Sequence, residues 1–453
     1  MKKATAGRRL TLDILLAVEN DGGKADALIR NALNKDFDMS DRDRAFVSRL
    51  SRGCIEKRIF LDYAADLFAS KKTAKMKPVI RNVIRMGIYQ LLFMDSVPDA
   101  TACNEAVMLA EERGFKGLTG FVNGVLRNIA RNKEIELPDE SNILKHLSIK
   151  YAMPEDLCGI YLERFGRERC ERLLAACDTE RPLSVRFICE DKTAEKIAAE
   201  NWKAAAVDVE YSPYLEHMYF LKNVHGVELL HGYDEGLFMV IDTSSALAAI
   251  CADVHKGDLV VDLCAAPGGK SMILAEAAGN QGKVLAFDIS EDKCSLIDEN
   301  AGRLKLNNIE SAVRNATVFN DELEGKADVV MADLPCSGLG VMGRKCDIRH
   351  NVDSSKIEEL AALQRKILAN AVRYLKSGGT LIFSTCTVNI KENEENADFL
   401  IKEAGLKADP LEGYLPKQLK YLEKETGRVQ LLCGEPEGLP LTDSFFISRF
   451  KKP

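Results

Sequence analysis

Residues Val261–Ser271 constrain the fold more than any other stretch of the chain. They read Val-Asp-Leu-Cys-Ala-Ala-Pro-Gly-Gly-Lys-Ser and stand between a buried-strand pattern, Asp258–Leu263, and a helical pattern, Met272–Ala278. A strand, a glycine turn and a helix in this order begin a doubly wound α/β sheet, whose ligand lies at the carboxyl ends of the strands. Gly268 and Gly269 allow the backbone to approach that ligand because they have no Cβ.

The turn suits some ligands better than others. A nucleoside triphosphate site needs Gly-x-x-x-x-Gly-Lys-Ser, but Cys264 stands where the first glycine belongs. The turn also lacks the Gly-x-Gly-x-x-Gly of a dinucleotide site, whereas S-adenosylmethionine carries no pyrophosphate and needs only a close turn and an acid for its ribose. Asp288, 20 residues beyond Gly268 and just after the apolar run Lys283–Phe287, is placed to be that acid. A tight turn without a ligand is the remaining alternative.

Two cysteines follow later strands of the same predicted sheet. Cys336 belongs to an Asp-Leu-Pro-Cys-Ser-Gly segment that begins at Asp333, directly after the strand predicted at Ala327–Ala332. Cys386 follows the strand predicted at Thr380–Ser384. Because the carboxyl ends of neighbouring parallel strands meet at one edge, we expect the two thiols to lie close together beside the glycine turn. One such cysteine would more often be a packing residue, but two at successive strand ends indicate chemistry.

Composition indicates a soluble, reduced, multidomain protein. The 453 residues suffice for about three domains, and 46% hydrophobic and 29% charged residues are typical of globular proteins. Thirteen cysteines without a Cys-x-x-Cys pair predict free cytoplasmic thiols, and the six scattered histidines predict no metal site. Asp13 interrupts the first apolar stretch, so we expect no signal peptide, and no apolar run is long enough to predict a membrane span.

The net charge of −7 is unevenly divided. The first 135 residues contain 24 Lys and Arg against 17 Asp and Glu, a net charge of +7, and the rest of the chain carries −14. A basic module joined to an acidic enzyme suits a protein that holds nucleic acid electrostatically. A solvated helical surface would account for the same excess, so the charge alone does not decide between them.

Three domains are predicted from the periodicity. Residues 1–135 read as an all-α bundle, with a helix opened by Pro78 and another capped by Ser40. A polar stretch, 133–145, reads as a linker, and residues 146–235 alternate between helix and strand as a small α+β module. The helices of this module are predicted over Pro154–Cys177 and Thr193–Lys203, and its strands over Leu183–Ile188 and His217–Leu221. Residues 236–453 form the predicted α/β domain, which includes a long helix over Lys356–Lys376.

Three motifs in order resemble those of the S-adenosylmethionine-dependent RNA cytosine-C5 methyltransferases. They are Asp262–Lys270, Asp333–Gly338 and Ser384–Thr387, accompanied by Asp288 and by Glu392-Asn393-Glu394. The first 130 residues, including Phe121–Arg127, resemble the NusB-like RNA-binding domain. This fusion is typical of the RsmB family, whose members methylate cytosine 967 of 16S ribosomal RNA. The resemblance therefore implies a NusB-like bundle, a linker module and a Rossmann-like methyltransferase domain.

The resemblance also implies a role for each site residue. Cys386 would be the nucleophile, Cys336 would assist proton removal and release, and Asp333 would lie between cofactor and base. The residues implied for S-adenosylmethionine are Cys264, Ala265, Ala266, Pro267, Gly268, Gly269, Lys270, Asp288, Asn315 and Asp333. The sequence departs from the family at Asn315, where an acid near the adenine is usual, at Cys346, where proline is usual, and at His350, where tryptophan is usual.

This chemistry explains why two thiols are needed. Cytosine C5 is a poor nucleophile until a thiolate adds at C6, and the adduct must later lose the C5 proton and the C6–sulfur bond. The family resemblance implies 16S ribosomal RNA as the partner. We expect a cytoplasmic monomer that has neither a metal nor a membrane segment. The alternatives are methylation of another RNA such as tRNA, of DNA or of protein, and a non-catalytic RNA-binding ribosome assembly factor.

Overall fold

Helices form the amino-terminal part of the chain and two β-sheets organise the remainder. The computed structural model describes residues 3–21, 25–35, 39–179, 181–188, 192–345, 347–423 and 426–453. The chain separates into two compact units, the first formed by residues up to Asp178 together with Met342–Val352, and the second by Thr179–Val341 with Asp353–Pro453. The domain limits 1–135, 146–235 and 236–453 remain predictions about parts that fold independently.

The regular elements are numbered here in chain order. The α-helices are α1 (Ala6–Asp21), α2 (Ala25–Asn34), α3 (Asp41–Glu56), α4 (Arg58–Phe68), α5 (Pro78–Phe93), α6 (Asp99–Glu112), α7 (Thr119–Arg131), α8 (Ile143–Tyr151), α9 (Glu155–Phe165), α10 (Arg167–Ala176), α11 (Lys192–Ala204), α12 (Thr243–Ile250), α13 (Gly269–Ala278), α14 (Glu291–Arg303), α15 (Ile348–Asn351), α16 (Ser354–Tyr374) and α17 (Glu394–Lys402). The strands are β1 (Leu183–Phe187), β2 (Asp208–Tyr211), β3 (Met218–Lys222), β4 (Phe238–Val240), β5 (Leu259–Asp262), β6 (Lys283–Asp288), β7 (Ile309–Val313), β8 (Ala327–Asp333), β9 (Leu375–Thr385), β10 (Lys407–Ala408), β11 (Arg428–Leu431) and β12 (Phe445–Lys451).

The first unit contains the predicted helical bundle together with α8, α9, α10 and α15. Pro78 occupies the first turn of α5, where its missing N–H costs nothing, and the Ser40 side chain caps α3 by accepting from the Asp43 N–H. The apolar faces of α1 to α7 meet in one core that includes Leu50, Val83 and Leu126. The sequence predicted one continuous helix over Pro154–Cys177, but Gly166, at φ 71°, ends α9 and begins α10.

A small antiparallel sheet begins the second unit. Its strand order is β2-β3-β1-β4, and α11 packs Trp202 against Phe187 and Phe238 on one face. The other face, which includes Met218 and Phe220, joins the core of the large sheet. The sequence predicted β1, α11 and β3, whereas β2 and β4 were missed because they are only four and three residues long.

The large sheet has the order β10-β12-β9-β8-β5-β6-β7, with β11 beside β12. Strands β5 to β9 run parallel and β12 is antiparallel to β9. Alternate residues of β8 face opposite cores, Met331 toward α12 to α14 and Val330 toward α16 and α17. Both faces are therefore covered by helices, and the predicted Rossmann-like α/β domain is confirmed. Among the described residues, no helix is long and apolar enough to cross a membrane.

Candidate active site

The glycine turn lies between β5 and α13, where the sequence placed it. The helix α13 begins at Gly269, three residues before the predicted start at Met272. The prediction began later because the first turn of the helix carries no apolar periodicity. Gly268 has φ 99°, and a Cβ there would lie 2.7 Å from Met272 Cε. Glycine is therefore required at this position by the backbone conformation, while the flexible end of the Met272 side chain could move away from a Cβ.

Backbone groups tie this turn to the end of β6. The Ala265 N–H donates to the Phe287 carbonyl at 2.9 Å, and the Pro267 carbonyl accepts from Asn300 Nδ2 at 3.0 Å. The Ala266 N–H donates to Asp288 Oδ2 at 3.0 Å. The turn and the predicted ribose acid are thus held as one structure.

Asp288 ends β6 and is 5% exposed. Besides the Ala266 N–H, it accepts hydrogen bonds from its neighbour Ile289 N–H at 2.7 Å and from Lys293 Nζ at 2.8 Å. A carboxylate at this position is the kind of acceptor that ribose hydroxyls bind. An adenosine group fits this edge because a buried acid faces a turn that has no side chain at Gly268.

Lys270 contacts Asp333. Its Nζ lies 2.7 Å from Asp333 Oδ2 and 2.5 Å from Ser245 Oγ, and its side chain is 10% exposed. Asp333 Oδ1 in turn accepts from Ser384 Oγ at 2.8 Å. The lysine charge therefore neutralises and orients the carboxylate at the end of β8, a contact that the sequence motif did not reveal.

Beneath this pair lies Asp262, which the sequence analysis left without a role. Burial raises the pKa of Asp262 to about 7, opposed by the hydrogen bond from Ser271 and by the charge of Lys270. Ser271 Oγ donates to Asp262 Oδ2 at 2.7 Å, while Oδ1 is buried with no hydrogen-bond partner. An acid one residue before the end of a buried strand pattern was the available signal for this group.

The two cysteines meet as predicted from their strand ends. Asp333 of β8 pairs in register with Ser384 of β9, so the turns that follow lie side by side. Cys336 Sγ and Cys386 Sγ are 3.4 Å apart, and neither forms a disulfide. The Gly340 N–H donates to the Cys386 carbonyl at 2.9 Å, which fixes one turn against the other.

Charge distinguishes the two thiols. The hydrogen bond with Cys386 raises the pKa of Cys336 well above its usual value, with further contributions from burial and from the charges of Cys386 and Glu392. Two thiolates cannot stand side by side at this distance. When Cys386 is a thiolate, Cys336 therefore keeps its proton. Burial also raises the pKa of Cys264, so this third cysteine of the site stays a neutral thiol.

The departures from the family pattern have separate locations. Asn315 follows β7, and its Oδ1 accepts from the Thr317 N–H at 3.0 Å and from Thr317 Oγ1 at 2.8 Å, so this oxygen stabilises a local turn. His350 lies in the first unit, where its Nε2 is 2.8 Å from the Ile55 carbonyl. Burial, with the charge of Arg58, lowers the pKa of His350 to about 3, so the ring is neutral. Cys346 lies outside the described residues.

No group of three or more His, Cys, Asp or Glu side chains that could hold a metal occurs in the described part of the chain. The functional groups of the site are two thiols, the Asp333 carboxylate held by Lys270, and a glycine turn that is hydrogen-bonded to Asp288. The two thiols can present a nucleophile and a proton carrier to two adjacent atoms of a substrate. The glycine turn beside them can hold an adenosine-containing group.

Comparison with known proteins identifies similar sequences and a similar fold. Residues 249–451 match the model of the 16S rRNA methyltransferase RsmB/F family, and residues 5–131 match that of the NusB family. The chain is 31% identical to the probable ribosomal RNA small subunit methyltransferase B of Bacillus subtilis and 29% identical to that of Synechocystis, in both cases over 99% of either chain. The fold resembles the crystal structure of PH0851, with a TM-score of 0.80, 24% identity and complete coverage of both chains. The chain thus belongs to the RsmB family of S-adenosylmethionine-dependent RNA cytosine-C5 methyltransferases.

Proposed function

We propose that this enzyme methylates C5 of a cytosine in 16S ribosomal RNA, at position 967 by family relationship, through a covalent adduct on Cys386. The observation that carries the mechanism is the 3.4 Å separation of Cys386 Sγ and Cys336 Sγ at adjacent strand ends. The substrate is inferred from the relatives, which are named as methyltransferases of small-subunit ribosomal RNA.

The residues of the chain would act in a fixed order. The Cys386 thiolate adds to C6, forming a carbon–sulfur bond while the C5=C6 double bond opens and C5 becomes nucleophilic. Asp333, held by Lys270 and Ser384, is the candidate to stabilise the adduct by a hydrogen bond at the N3 edge. When bound, S-adenosylmethionine supplies the electrophilic methyl group, and the residues proposed to hold it are Cys264–Lys270, Asp288, Asn315 and Asp333.

Release would follow from a change in the charge of the pair. Once Cys386 is a thioether, its contribution to the raised pKa of Cys336 is lost, while burial and the charge of Glu392 still raise that pKa. The proposed release step requires Cys336 to give its proton to solvent. The Cys336 thiolate then takes the proton from C5, the C5=C6 bond reforms, and the C6–sulfur bond breaks with its electron pair returning to Cys386. The pair ends as it began, with a Cys386 thiolate and a Cys336 thiol.

The sequence predicts a basic face for RNA on the helical unit. Its members are Arg42, Arg44, Arg49, Arg52, Lys57 and Arg58, with Lys71, Lys72, Lys75 and Lys77 on a loop. Arg44 donates to the carbonyls of Leu33 and Met39, and Arg49 donates to that of Phe93, so these two arginines contribute to the bundle's own structure. The four loop lysines of the predicted face are exposed in the segment before α5. We propose this lysine segment as the contact with phosphates.

We further propose that the enzyme acts as a monomer in the cytoplasm. The proposed substrate, 16S ribosomal RNA, is assembled in that compartment. The alternative functions, methylation of another RNA or assembly without catalysis, make different predictions for the RNA product.

Bisulfite sequencing of ribosomal RNA tests the proposal. In a strain that lacks the enzyme, cytosine 967 should read as unmethylated, and the wild-type chain should restore methylation while Cys386→Ser should not. A methylated cytosine in tRNA instead would change the substrate. The assembly-factor alternative would be favoured if neither the wild-type chain nor Cys386→Ser restored a methylated cytosine, while Cys386→Ser restored normal ribosome assembly.

Cofactor binding gives a second prediction. Asp288→Ala should weaken S-adenosylmethionine binding to the full-length protein by roughly 1.5–3 kcal/mol, because a charged hydrogen bond is lost. Isothermal calorimetry measures this directly. Asp288→Asn keeps an acceptor for the Ala266 N–H and separates loss of charge from loss of the turn, while the exposed Asp292→Ala is the control. Unchanged affinity in both Asp288 variants would place the ribose contact elsewhere.

A further inference from the structure

A buried polar segment after β9 contacts the residues that flank both cysteines. Glu392 accepts from the Ser337 N–H at 2.8 Å through Oε1 and from Ser337 Oγ at 2.5 Å through Oε2. Ser337 Oγ also lies 2.7 Å from Thr387 Oγ1. Ser337 follows Cys336 and Thr387 follows Cys386, so one carboxylate and one hydroxyl pair join the two turns.

Asn393 holds the turn that carries the nucleophile. Its side-chain oxygen accepts from Thr385 Oγ1, and its Nδ2 donates to the Thr387 carbonyl at 3.0 Å. A second Nδ2 hydrogen bond reaches Gln430 Oε1 at 3.0 Å. Asn393 is therefore bonded to the residues on both sides of Cys386, and its own side chain is fully buried.

Gln364 of α16 does the same for the other cysteine. Its Nε2 donates to the Pro335 carbonyl at 2.9 Å and to Glu392 Oε1 at 3.1 Å. Asn396 Nδ2 donates to Gln364 Oε1 at 2.7 Å, which fixes the orientation of the amide. Together Gln364 and Glu392 bond to the residues on both sides of Cys336.

These three side chains, Gln364, Glu392 and Asn393, are called the bracket below. Each has 0% exposure. Most of their hydrogen bonds go to the cysteine turns or to another member, and the remaining two join Asn393 to Gln430 and Gln364 to Asn396. Buried polar networks of this kind cost free energy unless every group is satisfied, and when satisfied they specify one geometry. Glu392 also adds negative charge near Cys336, which contributes to the raised pKa of that thiol.

We propose that the bracket residues are positioning residues that set the separation of the two thiols, with separate effects on attack and release. This inference rests on the proposed covalent mechanism. The Asn393 arm aligns Cys386 for addition to C6, and the Glu392 and Gln364 arm holds Cys336 where it can reach the C5 proton. Loss of either arm displaces one thiol, and a displacement of about 1 Å can lower a rate by on the order of 10²-fold.

Glu392→Gln tests the release arm in the full-length enzyme with 16S ribosomal RNA fragments and S-adenosylmethionine. The variant keeps the volume of the side chain but removes one acceptor and the charge. We expect kcat to fall on the order of 10²-fold with little change in KM, and a covalent protein–RNA complex to accumulate on denaturing gels. Glu395→Gln, an exposed glutamate in the same segment that pairs with Arg365, is the matched control and should retain wild-type turnover.

Thr385→Val tests the attack arm, because valine keeps the shape of threonine and removes the hydroxyl that donates to Asn393. We expect slower adduct formation in a single turnover and no accumulated complex. Asn393→Ala should show the same effect more strongly. Thermal unfolding and S-adenosylmethionine binding are measured for every variant. If Asn393→Ala proves to be misfolded, the result for Thr385→Val alone tests the attack arm.

Cys336→Ser serves as the reference for trapping. If Cys336→Ser traps RNA but Glu392→Gln turns over and partitions like wild type, the bracket has no positioning role and the covalent mechanism stands. A uniform loss of attack and release in both arms would also overturn the inference, because it would indicate a general structural effect. If Cys336→Ser traps nothing and Cys386→Ser stays active, the proposed function itself fails.

Discussion

Cys386→Ser is expected to bind RNA and S-adenosylmethionine but to transfer no methyl group, whereas Cys336→Ser is expected to accumulate a covalent protein–RNA complex. A hydroxyl at 386 is far less nucleophilic than a thiolate at neutral pH, so the loss in rate should reach several orders of magnitude. Serine at 336 leaves the attacking thiol intact but lacks an acidic proton carrier. The adduct then forms and is not resolved.

Denaturing electrophoresis of enzyme mixed with labelled RNA measures this result. The band of retarded RNA should appear with Cys336→Ser, and the double variant Cys336→Ser with Cys386→Ser should lose it because no nucleophile remains. Cys103→Ser, a change in the core of the helical unit, is the control and should remain active without a band. A band with Cys386→Ser alone would reverse the two assignments, and two active variants without a band would exclude the covalent mechanism.

Asp333→Asn should lower kcat on the order of 10²- to 10³-fold, the range seen when one preorganised group that stabilises a transition state is removed. The structure explains the size of the effect. Asp333 is held on both oxygens, by Lys270 at 2.7 Å and by Ser384 at 2.8 Å, so its carboxylate is oriented before substrate arrives. Asparagine retains the shape of the side chain but replaces one acceptor oxygen with a donor. The Lys270 charge then lies beside a neutral amide instead of a carboxylate.

Single-turnover methylation and thermal unfolding separate the two roles of Asp333. Asp333→Asn should lose activity with a modest change in stability. Asp333→Ala should also destabilise the fold, because the Lys270 side chain, 10% exposed, would lose its charged partner. The exposed Asp321→Asn is the control for a carboxylate lost away from the site. Near-wild-type turnover in Asp333→Asn would remove this carboxylate from the mechanism.

The pairing of the thiols was predictable because consecutive strands of such a sheet are usually neighbours and run in the same direction. Cys336 and Cys386 each follow a buried strand pattern, and parallel neighbouring strands bring their carboxyl ends to one edge. No detailed knowledge of side-chain packing was needed for this conclusion. The glycine turn was equally readable, since Gly268 occupies a conformation that other residues rarely adopt.

The sequence predicted the loop lysines of the basic face, but it did not predict which arginines of α3 bind the bundle itself. A run of arginines in α3 has the same periodicity whether its members face solvent or bind carbonyl groups of the bundle. Arg44 and Arg49 do the latter, and burial lowers the pKa of Arg58. Only the packing of one helix against the next decides which charges remain available to a partner.

The sequence by itself therefore determined the order of the helical bundle, the small module and the α/β domain and the residues at the strand ends, because local periodicity and turn chemistry report strand direction and conformation. The family was indicated by the resemblance of three motifs. The tertiary structure decided which polar groups meet. Lys270 is bonded to Asp333, and Glu392 to Ser337, across 63 and 55 residues of chain. Hydrogen-bond partners depend on distances of about 3 Å between segments far apart in sequence, and no local pattern carries that information.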